Sequence, residues 1–266
     1  MDHARIAELL RPFLDPDPVS VASQVEAHSS PAQPAFLSPT QSQYISTYID
    51  ILLRWNSRIN LTAVRQPEEI VTRHFGESLF AARHLFPRPP ANIPDTKMER
   101  EFVSAPQARP TPGAAIADPN LPSAIDIGSG AGFPGLPLKI WAPEIRLTLI
   151  ESNHKKVTFL REVIRSLTLT DVNVFSGRAE NFVAANASRQ LSGGNVVTLR
   201  AVERFESALP VAAGLVTTGG RLALLIGQAQ VPQARKLTPT FDWQSPTLIP
   251  GSKQRVLLVG SKREPR

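Results

Sequence analysis

The chain has 266 residues, of which 42% are hydrophobic, enough for one domain of ordinary size with an extension. It contains no cysteine, which excludes disulfides, thiolate metal sites and cysteine nucleophiles. The 29 Lys and Arg residues outnumber the 23 Asp and Glu residues, and the formal net charge of +6 suits a polyanionic partner such as RNA without requiring one.

The start of the chain, residues 1–8, lacks the apolar centre of a signal peptide. No apolar run approaches the roughly 20 residues that a membrane helix needs. We therefore expect a cytoplasmic protein that has no membrane partner.

Residues 1–39 are predicted to form an N-terminal extension that is partly disordered. Within it, apolar residues recur on one side of a predicted short helix over residues 4–14. Residues 15–39 are rich in Pro, Ser, Ala and Gln, a composition that is typical of a linker.

Residues 40–86 are predicted to hold two helices. From Thr40 to Trp55 apolar residues recur at helical spacing, and a polar-aromatic stretch too irregular for a plain helix follows. Pro67 opens the second predicted helix, which runs to about His84, because proline and acidic residues favour a first helical turn.

Residues 87–122 interrupt the chain with nine prolines and few apolar residues. A long segment without regular structure inside a compact domain is either functional or disordered. We expect a disordered or loosely attached insertion here.

Residues 123–266 alternate between strand and helix patterns, which is typical of a doubly wound α/β domain. The predicted strands are residues 124–127, 146–151, 172–175, 195–199 and 220–226. Helices are predicted over residues 155–167, 203–215 and 231–237, and residues 248–249 and 255–259 are expected to close the sheet as an antiparallel pair. The sequence therefore predicts a Rossmann-like sheet that forms one compact domain with residues 40–86.

A glycine-rich turn follows the first predicted strand. The acid Asp126 precedes three alternating glycines: Gly128, Gly130 and Gly132. This pattern is the first motif of S-adenosylmethionine-dependent methyltransferases. With Gly135 the same stretch also satisfies G-x-G-x-x-G, and Glu151 lies at about the spacing of the ribose-binding acid in a dinucleotide site. S-adenosylmethionine and a dinucleotide both need a glycine turn, because the ligand has to approach the backbone closely there.

Polar residues follow the predicted strands where each strand ends. In an open parallel sheet these ends meet at one edge, where the ligand binds. The features at this edge are Asp126 with its glycines, Glu151, Arg178 to Glu180, Arg200, and Gly227 with Gln228.

Each of these groups has a role in an S-adenosylmethionine site. Asp126 either contacts the ammonium of the cofactor or orders the loop. Glu151 can accept hydrogen bonds from both ribose hydroxyls, or it is a solvated acid at a strand end. Ala179 and Glu180 can face the adenine edge, although Glu180 also suits a helix N-terminus.

Three further side chains complete the candidate site. Arg200 can anchor a phosphate or the carboxylate of the cofactor. Phe133 either covers the cofactor or packs in the core. His74 shares a helix face with Glu77, but no third ligand follows at metal spacing, so we predict no metal and interpret His74 as a structural residue.

The chain resembles the glucose-inhibited division protein B family of ribosomal RNA guanine-N7 methyltransferases. The resemblance covers roughly residues 40–86 and 123–260. The matching pieces are Trp55-Asn56…Asn60-Leu61-Thr62, Arg73-His74…Glu77-Ser78, Asp126 to Gly135, Arg178-Ala179-Glu180 and Arg200-Ala201. The family usually has Asp where this chain has Glu77, and residues 1–39 and 87–122 are additions to the family pattern.

The resemblance implies methyl transfer to N7 of a guanine in 16S ribosomal RNA. We expect a monomer that acts on this RNA or on the small ribosomal subunit. It places Gly128, Phe133, Ala179, Glu180 and Arg200 on cofactor-binding positions. Guanine N7 has no proton to lose, so no general base is needed. Arg200 is the first candidate for positioning, and the candidate lining groups beside it are His74, Glu77 and Ser78.

Three other functions remain open at this stage. The chain could methylate a small molecule or a protein, although the arginines of its N-terminal helices favour RNA. It could bind RNA without catalysis, although the glycine motif and Glu151 are intact. It could use a nicotinamide cofactor, although no hydride-transfer residues are recognisable.

Overall fold

The computed structural model describes residues 1–15, 37–87, 121–189, 193–201 and 204–264. Most of the predicted linker at 15–39 and of the predicted insertion at 87–122 lies outside these ranges. The expected disorder of both segments stays a prediction.

Two helices begin the fold, α1 (His3–Leu14) and α2 (Pro39–Asn56). Ser38 caps α2: its hydroxyl accepts from the Gln41 amide at 3.2 Å, and the Gln41 side chain accepts from the Ser38 amide at 2.9 Å. The Gln41 side chain also donates to the Ile140 carbonyl at 2.7 Å, so the cap ties α2 to the sheet domain. The helix runs one residue further than Trp55, into the stretch that the sequence pattern treated as irregular.

The helix predicted from Pro67 is present but not uniform. It comprises α3 (Pro67–Ile70), a π-helical segment (Val71–Gly76) and α4 (Glu77–Leu85). A π-helical turn is wider than an α-helical one and often marks a functional site.

Helix α1 packs against this composite helix. Ile6 and Leu10 are fully buried. A Cβ atom on Gly76 would lie 2.6 Å from the ring of Phe13, so only glycine lets α1 approach so closely. The predicted helix at 4–14 is confirmed, and it belongs to the hydrophobic core.

The described part of the chain holds one eight-stranded sheet. Its strands are β1 Ser123–Ile127, β2 Arg146–Glu151, β3 Val172–Ser176, β4 Gly194–Arg200, β5 Val216–Gly227, β6 Phe241–Trp243, β7 Thr247–Leu248 and β8 Arg255–Lys262. They lie in the order β3-β2-β1-β4-β5-β8-β6, with β7 paired to β8. Strands β1 to β5 are parallel, and β8 is antiparallel to β5, β6 and β7. The chain order reverses between β1 and β4, which is where ligands bind in such sheets.

Helices cover both faces of the sheet. Those that alternate with the strands are α5 Gly135–Trp141, α6 His154–Ser166, α7 Ala179–Arg189, α8 Phe205–Leu215 and α9 Val231–Leu237. One apolar cluster joins α1 to α6 with one face, and a second joins α7 to α9 with the other. The structure confirms the predicted α/β fold, which is a doubly wound, Rossmann-like sheet with an N-terminal helical extension. Strand β5 begins at Val216, earlier than the predicted Gly220.

Candidate active site

The glycine turn leaves β1 in the left-handed backbone region. Gly128, Gly130 and Gly132 have φ angles of 69°, 57° and 84°. A Cβ atom on Gly132 would collide with the Tyr48 hydroxyl, whereas a Cβ on Gly130 would meet nothing closer than the Gly128 carbonyl at 3.7 Å. Gly132 therefore serves internal packing, and Gly130 faces open space that a ligand can fill.

The side chain of Asp126 stabilises the turn through hydrogen bonds. Its carboxylate accepts from the Thr198 hydroxyl at 2.7 Å and from the Gly135 amide at 3.2 Å, and the residue is 1% exposed. Burial raises the pKa of this carboxyl to about 6. These contacts link β1, β4 and the start of α5, so the side chain orders the loop.

Glu151, at the end of β2, also stabilises the turn through hydrogen bonds. Its two carboxylate oxygens accept from the amides of Gly130 at 2.8 Å and Asn153 at 2.7 Å. Each oxygen has a second lone pair. Glu151 can therefore order the loop and still accept a hydroxyl from a ligand.

Arg200, at the end of β4, joins the sheet to the π-helical segment. One terminal nitrogen of its guanidinium donates to the Arg73 carbonyl at 2.6 Å and to Nδ1 of His74 at 3.0 Å. The same nitrogen lies 3.1 Å from the Glu77 carboxylate, which also pairs with Arg255. Burial lowers the pKa of Arg200 to about 10, so the guanidinium stays charged at neutral pH.

His74 is a neutral imidazole in this cluster. Burial lowers its pKa to about 3, and the positive charges of Arg200, Arg73 and Arg255 add to the effect. Its Nε2 lies 2.7 Å from the Thr62 hydroxyl. A base this weak is poorly suited to remove a proton from a substrate at neutral pH.

Stacked aromatic rings border the glycine turn. The ring of Phe133 stacks with Tyr48, at a centroid distance of 5.4 Å, and with His74, at 4.9 Å. Phe133 is 7% exposed, so it both packs in the core and borders the site.

A cavity of about 520 Å³ opens above these groups, at the carboxyl ends of β1, β4 and β5. The predicted site residues that line it are Gly128, Gly130, Phe133, His74 and Arg200. The lining does not include Asp126, Gly132, Glu151, Ala179, Glu180, Glu77 or Ser78.

The predicted residues outside the lining have other positions. Glu77 is buried between two arginines, and the Ser78 hydroxyl donates to the His74 carbonyl at 2.6 Å. Both side chains therefore contact residues of the cavity lining without lining the cavity themselves. Ala179 and Glu180 open α7, beyond the end of β3, so they belong to the neighbouring part of the same sheet edge.

Six polar residues of the cavity were not among the predicted site residues: Thr62, Arg73, Ser129, Lys156, Gln230 and Arg255. A topological signal existed for Arg255. It is the first residue of β8, which runs antiparallel to β5, and it pairs with Gly227 at the carboxyl edge of the sheet. Thr62 lies in the stretch between the predicted helices, where no local pattern indicated which side chains face a ligand.

Comparisons with known proteins identify the family. The family model described as "GidB: rRNA small subunit methyltransferase G" matches residues 41–91 and 113–254, more than half of the chain. The chain belongs to this family. Helix α1 precedes the matched region.

Two relatives agree with the family match. A ribosomal RNA small subunit methyltransferase G from Chloroflexus aggregans is 34% identical over 236 residues, which cover 86% of this chain and 85% of the relative. A protein of the same name from Roseiflexus castenholzii is 35% identical over 237 residues and covers 86% of both chains. Among solved structures, a fibrillarin pre-rRNA processing protein from Methanococcus jannaschii matches 55% of this chain and 68% of its own, with 15% identity and a TM-score of 0.46.

The helices and the polar side chains of the described residues also bear on membranes and metals. No helix in the described ranges is long and apolar enough to cross a bilayer. Within the same ranges, no three side chains of the metal-binding types lie together.

Proposed function

We propose that this protein transfers a methyl group from S-adenosylmethionine to N7 of a guanine in 16S ribosomal RNA. Its family makes it an S-adenosylmethionine-dependent methyltransferase of small-subunit ribosomal RNA. One observation carries the assignment to this cavity: the glycine turn and the family's N-terminal residues Thr62, Arg73 and His74 form walls of the same space.

The residues present fit the cofactor. Gly130 leaves room for a ligand against the backbone, and Glu151 fixes the turn while it keeps lone pairs for a hydroxyl. Gly128 and Phe133 would border the same ligand. Bound S-adenosylmethionine supplies a methyl group made electrophilic by its sulfonium.

The reaction needs no proton transfer at its centre. Guanine N7 has a lone pair for the new N–C bond and no proton to lose, and the electron pair of the broken C–S bond would stay on the sulfur of the bound cofactor. His74 agrees with this chemistry because its lowered pKa makes it a poor base. Catalysis then rests mainly on holding the guanine in line with the methyl group.

Arg200 is the proposed positioning residue. It is fixed by the Arg73 carbonyl, His74 and Glu77, so it presents a rigid wall beside the glycine turn. Arg73, Lys156 and Arg255 add positive charge to the cavity lining. These charges suit the phosphates of an RNA chain that enters the cavity.

In the decisive experiment, the purified protein is incubated with labelled S-adenosylmethionine and with small ribosomal subunits from a strain that lacks this enzyme. Mass analysis of the digested RNA is expected to find 7-methylguanosine, and a Gly130→Val variant is expected to give none. Deproteinised 16S ribosomal RNA is the parallel substrate. Label in another nucleoside would contradict the proposal. If a cell extract is added as a further substrate, label found only in its proteins or small molecules would also contradict the proposal and would favour the small-molecule or protein alternative.

We further propose that the protein acts as a monomer, in the cytoplasm where small subunits are assembled. The support is that one chain supplies the glycine turn, His74 and Arg200 to the same cavity. Sedimentation of the active protein at the assay concentration tests the oligomeric state, and a dimer under these conditions would overturn it.

A further inference from the structure

We infer that the Thr62 hydroxyl is a hydrogen-bond donor that recognises O6 of the target guanine. The inference rests on the proposed function, since O6 is the neighbour of the N7 atom that accepts the methyl group. It adds a determinant of base specificity to a site in which Arg200 and His74 supply the wall.

The first step is the tautomer of His74. A guanidinium can only donate, so we assign the acceptor role in the 3.0 Å contact with Arg200 to Nδ1 of His74; the neighbouring Arg73 carbonyl already accepts from the same guanidinium at 2.6 Å. The ring is neutral, since its pKa is lowered to about 3, and therefore has one hydrogen. That hydrogen is on Nε2, which lies 2.7 Å from the Thr62 oxygen and donates to it.

The second step is the count of lone pairs on Thr62. The amide of Val64 also donates to the Thr62 hydroxyl oxygen, at 3.1 Å. A hydroxyl has two acceptor lone pairs and one hydrogen. With both lone pairs occupied, the hydroxyl hydrogen has to be donated to a third group. Within the described residues, His74 and Val64 are the groups found bonded to this oxygen.

The backbone of Thr62 is fixed as well. The Asn56 side chain accepts from the Thr62 amide at 3.0 Å and donates to its carbonyl at 3.0 Å. Thr62 is half-buried and lines the cavity together with His74, Arg200 and the glycine turn. A fixed donor in this place is preorganised for a ligand acceptor.

The third step is the chemistry of the base. Beside N7, guanine carries the acceptor O6, whereas adenine carries a donor, the N6 amino group. An obligate donor next to the methyl acceptor therefore favours guanine. Against adenine it would face another donor, and both would lose their hydrogen bonds.

The test uses small-subunit RNA in which the guanine that the wild type methylates is replaced in separate preparations by inosine or 2-aminopurine. Both keep N7, but only inosine keeps O6. We expect the wild type and Thr62→Ser to prefer inosine to 2-aminopurine by about tenfold or more in kcat/KM. Thr62→Val, which removes the hydroxyl at nearly constant volume, is expected to lower kcat/KM on guanine about tenfold and to treat the two analogues within about threefold of each other.

Three results would overturn the inference. Thr62→Val could keep the wild-type preference for inosine, or it could lose binding of S-adenosylmethionine by titration calorimetry, which would assign the donor to the cofactor. The wild type could also methylate both analogues equally, a result that stands even if Thr62→Val does not fold. Failure of the proposed function is separate, because unsubstituted RNA would then give no 7-methylguanosine with the wild type.

Discussion

Arg200 and His74 are 126 positions apart in the chain, yet Arg200 donates a hydrogen bond to Nδ1 of His74 at 3.0 Å. The contact joins the end of β4 to the π-helical segment. It also supports the tautomer of the imidazole from which we infer the role of Thr62. One arginine thus couples the carboxyl edge of the sheet to the helices that carry the family's N-terminal motifs.

We expect Arg200→Ala to lower kcat/KM for methylation by tenfold or more, which corresponds to about 1.4 kcal/mol of transition-state stabilisation. The reason is that the wall beside the acceptor loses its bonds to Arg73 and His74. Incorporation of labelled methyl groups into small subunits measures the effect. Arg263→Ala is the control, since Arg263 pairs with Asp242 on the surface, away from the cavity. Wild-type rates for Arg200→Ala would contradict the positioning role.

We expect Glu77→Gln to destabilise the protein by about 3 kcal/mol, because it leaves Arg200 and Arg255 without their shared negative charge in a buried place. Glu69→Gln is the matched control. Glu69 pairs with Arg73 at 2.6 Å, but both side chains are about half exposed, so the loss should be below about 1 kcal/mol. Urea unfolding of both variants measures the difference, and equal losses would show that Glu77 is not an essential counter-charge.

The contrast between these two glutamates shows where sequence reasoning stops. Both are acids in one predicted helix, and the i, i+4 spacing in that helix is enough to bring Glu69 to Arg73. The arginines that hold Glu77 come from β4 and β8, so its burial depends on how distant strands pack against the π-helical segment. No residue pattern near Glu77 reports those partners.

Predictions from the sequence succeeded where the cause is local. The glycine turn after Ile127 was found because positive φ angles require glycine, and the strands were found because parallel strands are continuously apolar. The sheet edge gathered the strand-end residues as expected. The division between cavity lining and support was not predictable, because Asp126 and Gly130 differ in exposure only after folding.

We expect Gly130→Val to abolish binding of S-adenosylmethionine, because the new side chain fills the open space beside the turn. Gly219→Val is the control for backbone strain. Gly219 also has a positive φ, 71°, and no atom within 4 Å of a Cβ, but it does not line the cavity. Titration calorimetry on folded protein compares them. Loss of binding in both variants would attribute the effect to strain alone.

We expect His74→Ala, if folded, to retain measurable turnover, and the wild-type rate to show no bell-shaped pH profile. The imidazole is held neutral by its low pKa, and methyl transfer to N7 needs no base. Single-turnover assays between pH 6 and 9 measure both points. A folded, cofactor-binding variant without any chemistry, together with a bell-shaped wild-type profile, would show that a general base exists.

The stability of the protein should depend on pH through the same imidazole. The folded pKa of His74 is about 3 against an ordinary value of 6.5, so below pH 6.5 only the unfolded chain takes up the proton. The stability that the buried, neutral His74 contributes is therefore complete above pH 6.5 and is lost as the pH falls towards 3. Asp126 acts in the opposite sense. Its pKa is raised from 3.8 to about 6, so its contribution declines as the pH rises through that window.

Comparison with His74→Asn removes the Asp126 effect, which the two proteins share. The amide of asparagine can still accept from Arg200, but it does not titrate. We expect the stability advantage of the wild type to shrink as the pH falls from 7 to 4, by up to about 1.4 kcal/mol per pH unit. Urea unfolding at matched ionic strength measures it. An advantage that stays constant or grows on acidification would mean that the folded histidine is protonated, and the Nε2 hydrogen bond to Thr62 would no longer define its tautomer.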